Sequence, residues 1–145
     1  MSMQSLKIKF LTQPKYTRKI FDMMGLLLDA FLTNKTAYRE FMVALGEAID
    51  NAIMHGNQLD GQKYLEVECE IHHDKIVCHV QDEGKGFKYE KFMKDALDNF
   101  VPEALMKKVA KYGTPGSMGI AMMRKCLNEV CYNEQGNRLT MVKKL

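Results

Sequence analysis

A carboxylate followed by two glycines marks the stretch VQDEGKGF, residues 80–87. Asp82 stands where a predicted β-strand ends, and Gly84 and Gly86 allow backbone angles and close approaches that a side chain would block. A carboxylate in this setting can accept a hydrogen bond from an exocyclic amine while the following backbone lies against a flat ring. The alternative is an Asp-Gly surface turn, which is common in proteins.

A second glycine-rich stretch, GTPGSMGI at residues 113–120, opens the helix that is predicted from Ile120. Flexible backbone that leads into a helix N-terminus presents several unpaired N–H groups and the positive end of the helix dipole. These are the features of a phosphate-binding loop. The GxxxxGK[ST] pattern of a Walker loop is absent, and the alternative is a loop that merely joins two elements.

Glutamate, asparagine and histidine recur at four-residue intervals in ALGEAIDNAIMHGN, residues 44–57. At the angular spacing of an α-helix, Glu47, Asn51 and His55 lie along one flank. Beside them runs a broad apolar stripe that packs into the core, formed by Phe41, Leu45, Ala48, Ile49 and Ala52. A polar line that borders an apolar face lies at the rim of a cavity. An ordinary amphipathic helix whose polar side contains these residues is the alternative.

The elements that must position these stretches include a hairpin within residues 63–84. With a turn centred on His73 and Asp74, one face of the hairpin is wholly apolar, and its facing pairs are Ile71 with Ile76, Cys69 with Cys78 and Val67 with Val80. A slip of one residue would destroy this sorting, so the register is well specified. The sheet is therefore predicted to be covered on one face and mostly wet on the other.

The remaining elements follow from periodicity and from Pro, Gly and Asn signals. A strand at LKIKFLT precedes a helix that Pro14 opens and that is expected to be largely buried from Tyr16 to Phe31. Asn34 and Thr36 are candidate caps for the second helix, which ends near His55 and Gly56. Residues 88–112 are charged and helix-prone. The last helix is predicted from the apolar positions Ile120, Met123, Leu127 and Val130, before a closing strand, RLTMVKKL. This order predicts an α+β sandwich, with helices on one face of a mixed, mostly antiparallel sheet.

Composition limits the class of protein. The chain of 145 residues is 46% hydrophobic and 27% charged, which suits one domain spanning residues 1–145. A net charge of +3 without a long basic run makes nucleic acid an unexpected partner. With no apolar stretch of membrane-spanning length and no signal-peptide segment at the N-terminus, a cytoplasmic protein is expected. Four cysteines without a CxxC pair are expected to be free thiols packed as small hydrophobes.

Taken together, in this order and spacing, the three stretches resemble the GHKL ATPase superfamily and its Bergerat nucleotide-binding fold. EAIDNAIMHGN resembles the N box, DEGKGF the first glycine box and GSMGI the second. The N box and the layout of the chain are most similar to the stand-alone anti-sigma factor serine/threonine kinases of bacterial partner switching. The resemblance covers nearly the whole chain, and it implies a Bergerat-type α/β sandwich.

The resemblance implies a role for each box. Asn51 would ligate a Mg²⁺ ion that bridges the phosphates of ATP, because Mg²⁺ prefers oxygen ligands. Glu47, one turn earlier, would take a proton from an attacking hydroxyl group. Asp82 would bind the adenine amine, while Gly84 and Gly86 would let the base approach. The phosphates would be held by Gly116, Ser117, Met118, Gly119 and Ile120. His55 is expected to be structural.

Two functions remain open on this resemblance. The first is a regulatory serine/threonine kinase that uses ATP and Mg²⁺, sequesters a sigma factor and phosphorylates a STAS-type anti-anti-sigma protein. The retained Glu47 favours it, and a homodimer is usual among such proteins. The second is an ATP-binding partner-switching module without kinase activity. The altered second glycine box favours that reading, because Ser117 stands where a glycine is usual, with Gly116 one residue earlier. A second departure, Asn137 where a threonine is common, bears on the affinity for the nucleotide.

Overall fold

The computed structural model describes residues 3–86 and 116–145, with side chains from Gly119 onward in the second range. Its helices are α1 (Pro14–Phe31), α2 (Lys35–Asn51) and α3 (Gly116–Cys126), and a π-helical turn, Ala52–Gly56, continues α2. Its strands are β1 (Gln4–Leu11), β2 (Tyr64–Ile71), β3 (Lys75–Asp82), β4 (Glu129–Tyr132) and β5 (Arg138–Lys144). The helix-prone segment predicted at residues 88–112 lies outside the described residues.

The five strands form one sheet in the order β1-β2-β3-β5-β4. All four pairings between the described strands are antiparallel, so the prediction of a mostly antiparallel sheet in an α+β chain is confirmed. Strand β3, which ends at Asp82, lies at the centre of the sheet, and strand β1 forms one edge. A central position holds the end of β3 between two neighbouring strands.

The register of the β2–β3 hairpin is the predicted one. Cys69 lies opposite Cys78, Val67 opposite Val80 and Ile71 opposite Ile76. Every second residue of both strands is buried, beginning with Leu65 in β2 and Ile76 in β3. This alternation is expected when one face of a sheet is covered and the other is in contact with water. Cys69 and Cys78 are free and buried, as predicted, whereas Cys131 is exposed.

The covered face of the sheet carries α2 and α3. The fully buried side chains Phe41 and Leu45 of α2 and Ile120 and Met123 of α3 belong to one core with those of the sheet. Two predicted helix starts are confirmed. Pro14 is the first residue of α1. Asn34 caps α2, since its Oδ1 accepts a hydrogen bond from the backbone N–H of Ala37 at 3.1 Å.

Two predictions about helices were wrong. Helix α1 is not largely buried, because only Met24, Gly25 and Leu28 are buried along its 18 residues. Its other large apolar side chains, such as Leu26 and Phe31, point away from the core. The last helix does not reach Val130, because it ends at Cys126 and Val130 belongs to β4, where it pairs with Met141. None of the helices in the described part of the chain is long and apolar enough to cross a membrane.

Candidate functional site

Helix α2 and the first turn of α3 meet at two polar side chains. A Cβ atom built on Gly119 would lie 2.8 Å from Glu47 Oε2 and 3.1 Å from Asn51 Nδ2, so a larger residue at 119 would displace the Glu47 carboxylate and crowd the Asn51 amide. Glycine therefore lets the start of α3 pack directly on the polar flank of α2. The first backbone N–H groups of a helix have no partner within the helix, so this packing brings hydrogen-bond donors close to Glu47 and Asn51.

Asn51 is buried, and its Nδ2 atom makes no hydrogen bond of ordinary geometry among the described residues, while the Tyr132 side chain interacts with the same amide. A buried amide that is incompletely hydrogen-bonded is uncommon in proteins and has capacity for a further polar partner. Because the O and N atoms of an amide are assigned from their neighbours, either atom can face the space beside Gly119. The amide is thus suited to bind a polar group there.

Glu47 is half-buried. Its pKa is raised, first by desolvation and then by the negative charge of Asp50. Asp50 has a raised pKa for the same first reason, its partial burial. A carboxylate whose pKa moves towards neutrality is a stronger base at the pH where it still ionises. A raised pKa is one property that a general base requires, and the charge of Asp50, on the next turn of the helix, contributes to it.

The carboxylate of Asp82 lies against the end of the π-helical turn. It is buried, and its Oδ2 atom occupies the space where a side chain on Gly56 would begin. Its Oδ1 atom accepts a hydrogen bond from the backbone N–H of Gly84 at 2.8 Å. Burial raises the pKa of Asp82 to about 6, while the Gly84 hydrogen bond and the charge of Lys63 act in the opposite direction.

The glycines after Asp82 allow close contacts between backbone segments. A Cβ atom on Gly84 would collide with the carbonyl oxygen of Gly56. Gly86 has a φ angle of +88°, which side chains disfavour, and a Cβ atom there would collide with the carbonyl oxygen of Gln135. The two glycines of the first box thus bring the end of β3 against the π-helical turn on one side and the β4–β5 turn on the other.

A family model described as a histidine kinase-like ATPase domain matches residues 10–143. The chain belongs to this family. The resemblance to the ATPase superfamily that the three boxes predicted is therefore confirmed. The helix that carries Glu47 and Asn51 and the strand end that carries Asp82 both lie within the matched range.

The chain is also similar to two proteins whose names bear on function. This chain is 28% identical over 109 residues to the anti-sigma F factor of Clostridium perfringens strain SM101, and the aligned region covers 73% of this chain and 71% of that protein. It is 22% identical over 141 residues to the serine-protein kinase RsbW of Bacillus subtilis strain 168, and the aligned region covers 97% of this chain and 85% of that protein. Both names agree with the predicted group of anti-sigma factor kinases.

The second glycine box of this family member is partly described. Gly116 and Ser117 are the first two residues of α3, and Met118 follows them. Ser117 thus has helical backbone, for which glycine is not required. Ile120 is fully buried in the core, so only its backbone can face a ligand. Of the predicted phosphate-binding residues, Gly119 is the one that the described contacts bring next to Glu47 and Asn51.

Asn137, where the family commonly has threonine, takes part in the β4–β5 turn. Its carbonyl oxygen accepts a hydrogen bond from the backbone N–H of Asp82 at 3.0 Å. Its side-chain oxygen accepts one from Asn133 Nδ2 at 2.8 Å, and Asn133 Oδ1 in turn accepts from the backbone N–H of Asn137 at 3.0 Å. The backbone of Asn137 thus supports Asp82, and its side chain is used within the turn.

The sequence did not predict the part played by Tyr132. Burial, with the added negative charge of Asp82, raises the pKa of Tyr132 above its ordinary range, and its side chain also interacts with Asn51. Tyr132 is therefore close both to the carboxylate at the end of β3 and to the amide of Asn51. No sequence signal indicates this, because the apolar spacing from Ile120 to Val130 predicts a helix and gives no sign of the short strand that carries Tyr132. His55 lies in the π-helical turn, and its structural role stays a prediction.

Proposed function

We propose that this chain is an ATP-binding anti-sigma regulatory kinase. It binds ATP with Mg²⁺, holds a sigma factor inactive and phosphorylates a STAS-type anti-anti-sigma protein on a serine or threonine. The observation that carries this proposal is the packing of Gly119 on Glu47 and Asn51, which brings a carboxylate, a buried amide and a helix N-terminus together. Phosphoryl transfer needs these groups in one place.

The base of ATP binds at Asp82 in this proposal. An adenine ring carries an exocyclic amine that can donate a hydrogen bond to the carboxylate, and the buried position strengthens such a bond. Gly84 and Gly86 support the assignment through packing, because they let the backbone of Gly56 and of Gln135 lie directly against the segment that carries Asp82. The pKa of Asp82, about 6, leaves the carboxylate mostly ionised at neutral pH.

The phosphates bind at the start of α3 in this proposal. Unpaired backbone N–H groups and the positive end of the helix dipole stabilise phosphate oxygens there. The residues assigned to this part of the site are Gly116, Ser117, Met118, Gly119 and Ile120. The packing of Gly119 on α2 supports the assignment, because it puts these donors next to the residues proposed to act on the γ-phosphate.

The metal ion is assigned to Asn51. An amide oxygen is a suitable ligand for Mg²⁺, which takes one or two ligands from the protein and the rest from phosphates and water. The buried, incompletely hydrogen-bonded amide of Asn51 fits this requirement. Mg²⁺ bound there supplies positive charge that offsets the negative charge on the phosphates.

Glu47 is assigned as the general base. It lies one helical turn before Asn51 and next to Gly119, so its carboxylate faces the space proposed for the γ-phosphate. There it takes the proton of the attacking hydroxyl group. Its raised pKa supports this assignment, because a base is most effective when its pKa is close to the pH at which it works.

The partners are proposed from the two relatives, whose names are anti-sigma F factor and serine-protein kinase RsbW. A sigma factor is the protein that is sequestered, and a STAS-domain protein is the one that is phosphorylated. A homodimer is also proposed. The exposed apolar side chains of α1 support it, since Leu26 is 76% exposed and Phe31 47% exposed. A cytoplasmic location stays a prediction.

The second candidate is an ATP-binding partner-switching module that sequesters its partner without phosphoryl transfer. The departure from the family at Ser117 favours it; because the backbone of Ser117 is helical, an effect on transfer would come from the added side chain and not from backbone strain.

Incubation of the protein with γ-labelled ATP, Mg²⁺ and a STAS-domain protein from the same genome separates the two candidates. Label on the STAS protein supports the kinase. Bound ATP and a sequestered sigma factor without label would support the module, and absence of ATP binding would contradict both.

A further inference from the structure

Asn57 is a fully buried polar residue that directly follows the π-helical turn. Its side-chain Oδ1 accepts a hydrogen bond from the backbone N–H of Glu83 at 2.8 Å. Its Nδ2 donates to the carbonyl oxygen of Tyr64 at 3.0 Å, and a longer contact of 3.5 Å joins Nδ2 to Thr12 Oγ1. One amide therefore connects the end of the N box to the first residue of β2 and to the residue that follows β3.

The hydrogen bond to Glu83 acts on the turn that carries Asp82. Glu83 lies between Asp82 and Gly84, whose N–H donates to Asp82 Oδ1 at 2.8 Å. The side chain of Glu83 also accepts a hydrogen bond from the backbone N–H of Tyr64 at 3.2 Å. Glu83 and Asn57 are thus both hydrogen-bonded to the backbone of Tyr64, the first residue of β2. The hydrogen bond from the Glu83 N–H to Asn57 therefore holds the backbone that joins Asp82 to Gly84, the donor to its carboxylate.

The chain adopts an unusual backbone to keep Asn57 in this position. Gln58 and Leu59 have φ angles of 53° and 61°, a left-handed conformation that residues other than glycine rarely adopt. The Asp60 N–H donates to the Asn57 carbonyl oxygen at 3.1 Å, and Thr12 Oγ1 donates to the Asp60 carbonyl oxygen at 2.9 Å. Such strain persists where the surrounding contacts over-determine it, and it is found at functional sites.

We propose that Asn57 is the positioning residue of the base-binding carboxylate, and that it sets the preference of the site for ATP over GTP. The inference rests on the proposed nucleotide site. Adenine presents an exocyclic amine to a carboxylate, whereas guanine presents a carbonyl oxygen at the corresponding position, which a carboxylate repels. Discrimination between the two bases depends on the direction of the Asp82 carboxylate, and this direction is what Asn57 fixes through Glu83.

The experiment measures the dissociation constants of ATP and GTP, with Mg²⁺, for the wild type and for Asn57→Ala. Loss of one buried hydrogen-bond acceptor is expected to lower the preference for ATP over GTP by about tenfold. The matched control is Asn34→Ala, which removes an amide that accepts one backbone N–H far from the site. Both variants lower the urea midpoint, but the control keeps the wild-type preference.

A second variant separates positioning from filling of space. Asn57→Asp keeps an oxygen that can accept the Glu83 N–H, so it retains most of the preference for ATP even though burial of its carboxyl group lowers stability. If Asn57→Ala does not fold in buffer without additives, the wild type and all variants are measured in the same concentration of trimethylamine N-oxide, which favours the folded state.

An unchanged ATP-to-GTP ratio in folded Asn57→Ala would overturn the inference, and so would an equal loss of the ratio in Asn57→Asp. Failure of the wild type to prefer ATP would overturn the proposed site itself. Because the wild type alone tests the site and the ratio of variant to wild type tests Asn57, the two failures are distinguishable.

Discussion

Replacing Asp82 with asparagine removes a buried negative charge while keeping the shape of the side chain and an acceptor for the Gly84 N–H. The folded protein raises the pKa of Asp82 from 3.8 to about 6, chiefly through burial, so folding opposes its ionisation. The Asp82→Asn variant should therefore be more stable than the wild type at pH values above 3.8, where Asp82 of the unfolded chain ionises.

The size of the effect follows from the shift. A difference of about 2 pKa units, at 1.36 kcal/mol per unit, is about 3 kcal/mol. Because the folded state holds the proton more tightly, the stability associated with protonated Asp82 is complete below pH 3.8 and is lost as the pH rises through about 6. The advantage of Asp82→Asn should thus be about 1.5 kcal/mol at pH 5 and about 3 kcal/mol at pH 7.5.

Urea unfolding without nucleotide at these two pH values measures the difference between variant and wild type, in which the titrations of all other groups cancel. The control is Asp29→Asn, an exposed aspartate paired with Lys35, which should change stability by no more than about 1 kcal/mol at either pH. A difference for Asp82→Asn that does not grow with pH would refute the claim that burial destabilises this carboxylate.

The same variant should bind ATP more weakly at neutral pH, because an ionised carboxylate is a stronger acceptor for an amine than a neutral amide. Wild-type affinity for ATP should fall as the pH falls through about 6, and the variant should lack this dependence. A gain in stability together with a loss of binding is expected of a site that uses a buried charge.

Three further outcomes are expected. Asn51→Ala should weaken binding of ATP in the presence of Mg²⁺, and equal wild-type affinity with and without Mg²⁺, measured by titration, would count against Asn51 as the ligand. Ser117→Gly should leave ATP affinity unchanged or weaken it, because Ser117 has helical backbone; a gain of about tenfold would show that serine strains the loop. Leu26→Glu should shift a dimer towards monomer in sedimentation equilibrium without changing ATP affinity, and an unchanged mass would exclude α1 from the interface.

Much of the fold could be predicted because its signals are local. The β2–β3 register follows from alternation together with the turn at His73 and Asp74, since a slip of one residue would bury Glu66 and Glu68 in place of Val67 and Cys69. The burial of α1 could not be predicted in this way. An apolar helix can be surrounded by the core on all sides or can leave half of its surface exposed. The number of elements that pack around the helix decides between these, and the sequence of the helix does not specify that number.

The end of the last helix was misplaced for a related reason. Val130 continues the apolar spacing of α3, but the four residues of β4 pair with β5, and the hydrogen bonds of that pairing decide their conformation. Short strands carry too few residues for their own period to be recognised.

The candidate site also contains residues that the sequence indicates and residues that only the structure shows. The box residues Glu47, Asn51 and Asp82 could be named from sequence because their types and spacing are shared with a known family. Asn57 and Tyr132 could not, because each gains its place from contacts with segments that are distant in the chain. Such supporting residues carry no local pattern, and only the folded structure brings them to the site.

The rate of phosphoryl transfer from ATP to a STAS-domain protein, compared between the wild type and Glu47→Ala at saturating ATP and Mg²⁺, tests the central claim most directly. The account predicts that the variant binds ATP nearly as well as the wild type but transfers phosphate about 10²- to 10⁴-fold more slowly, the usual share of a general base. Mass spectrometry should find the phosphate on a serine or threonine of the STAS protein. Transfer by Glu47→Ala at the wild-type rate would contradict the assignment of Glu47, and absence of transfer by the wild type would contradict the kinase.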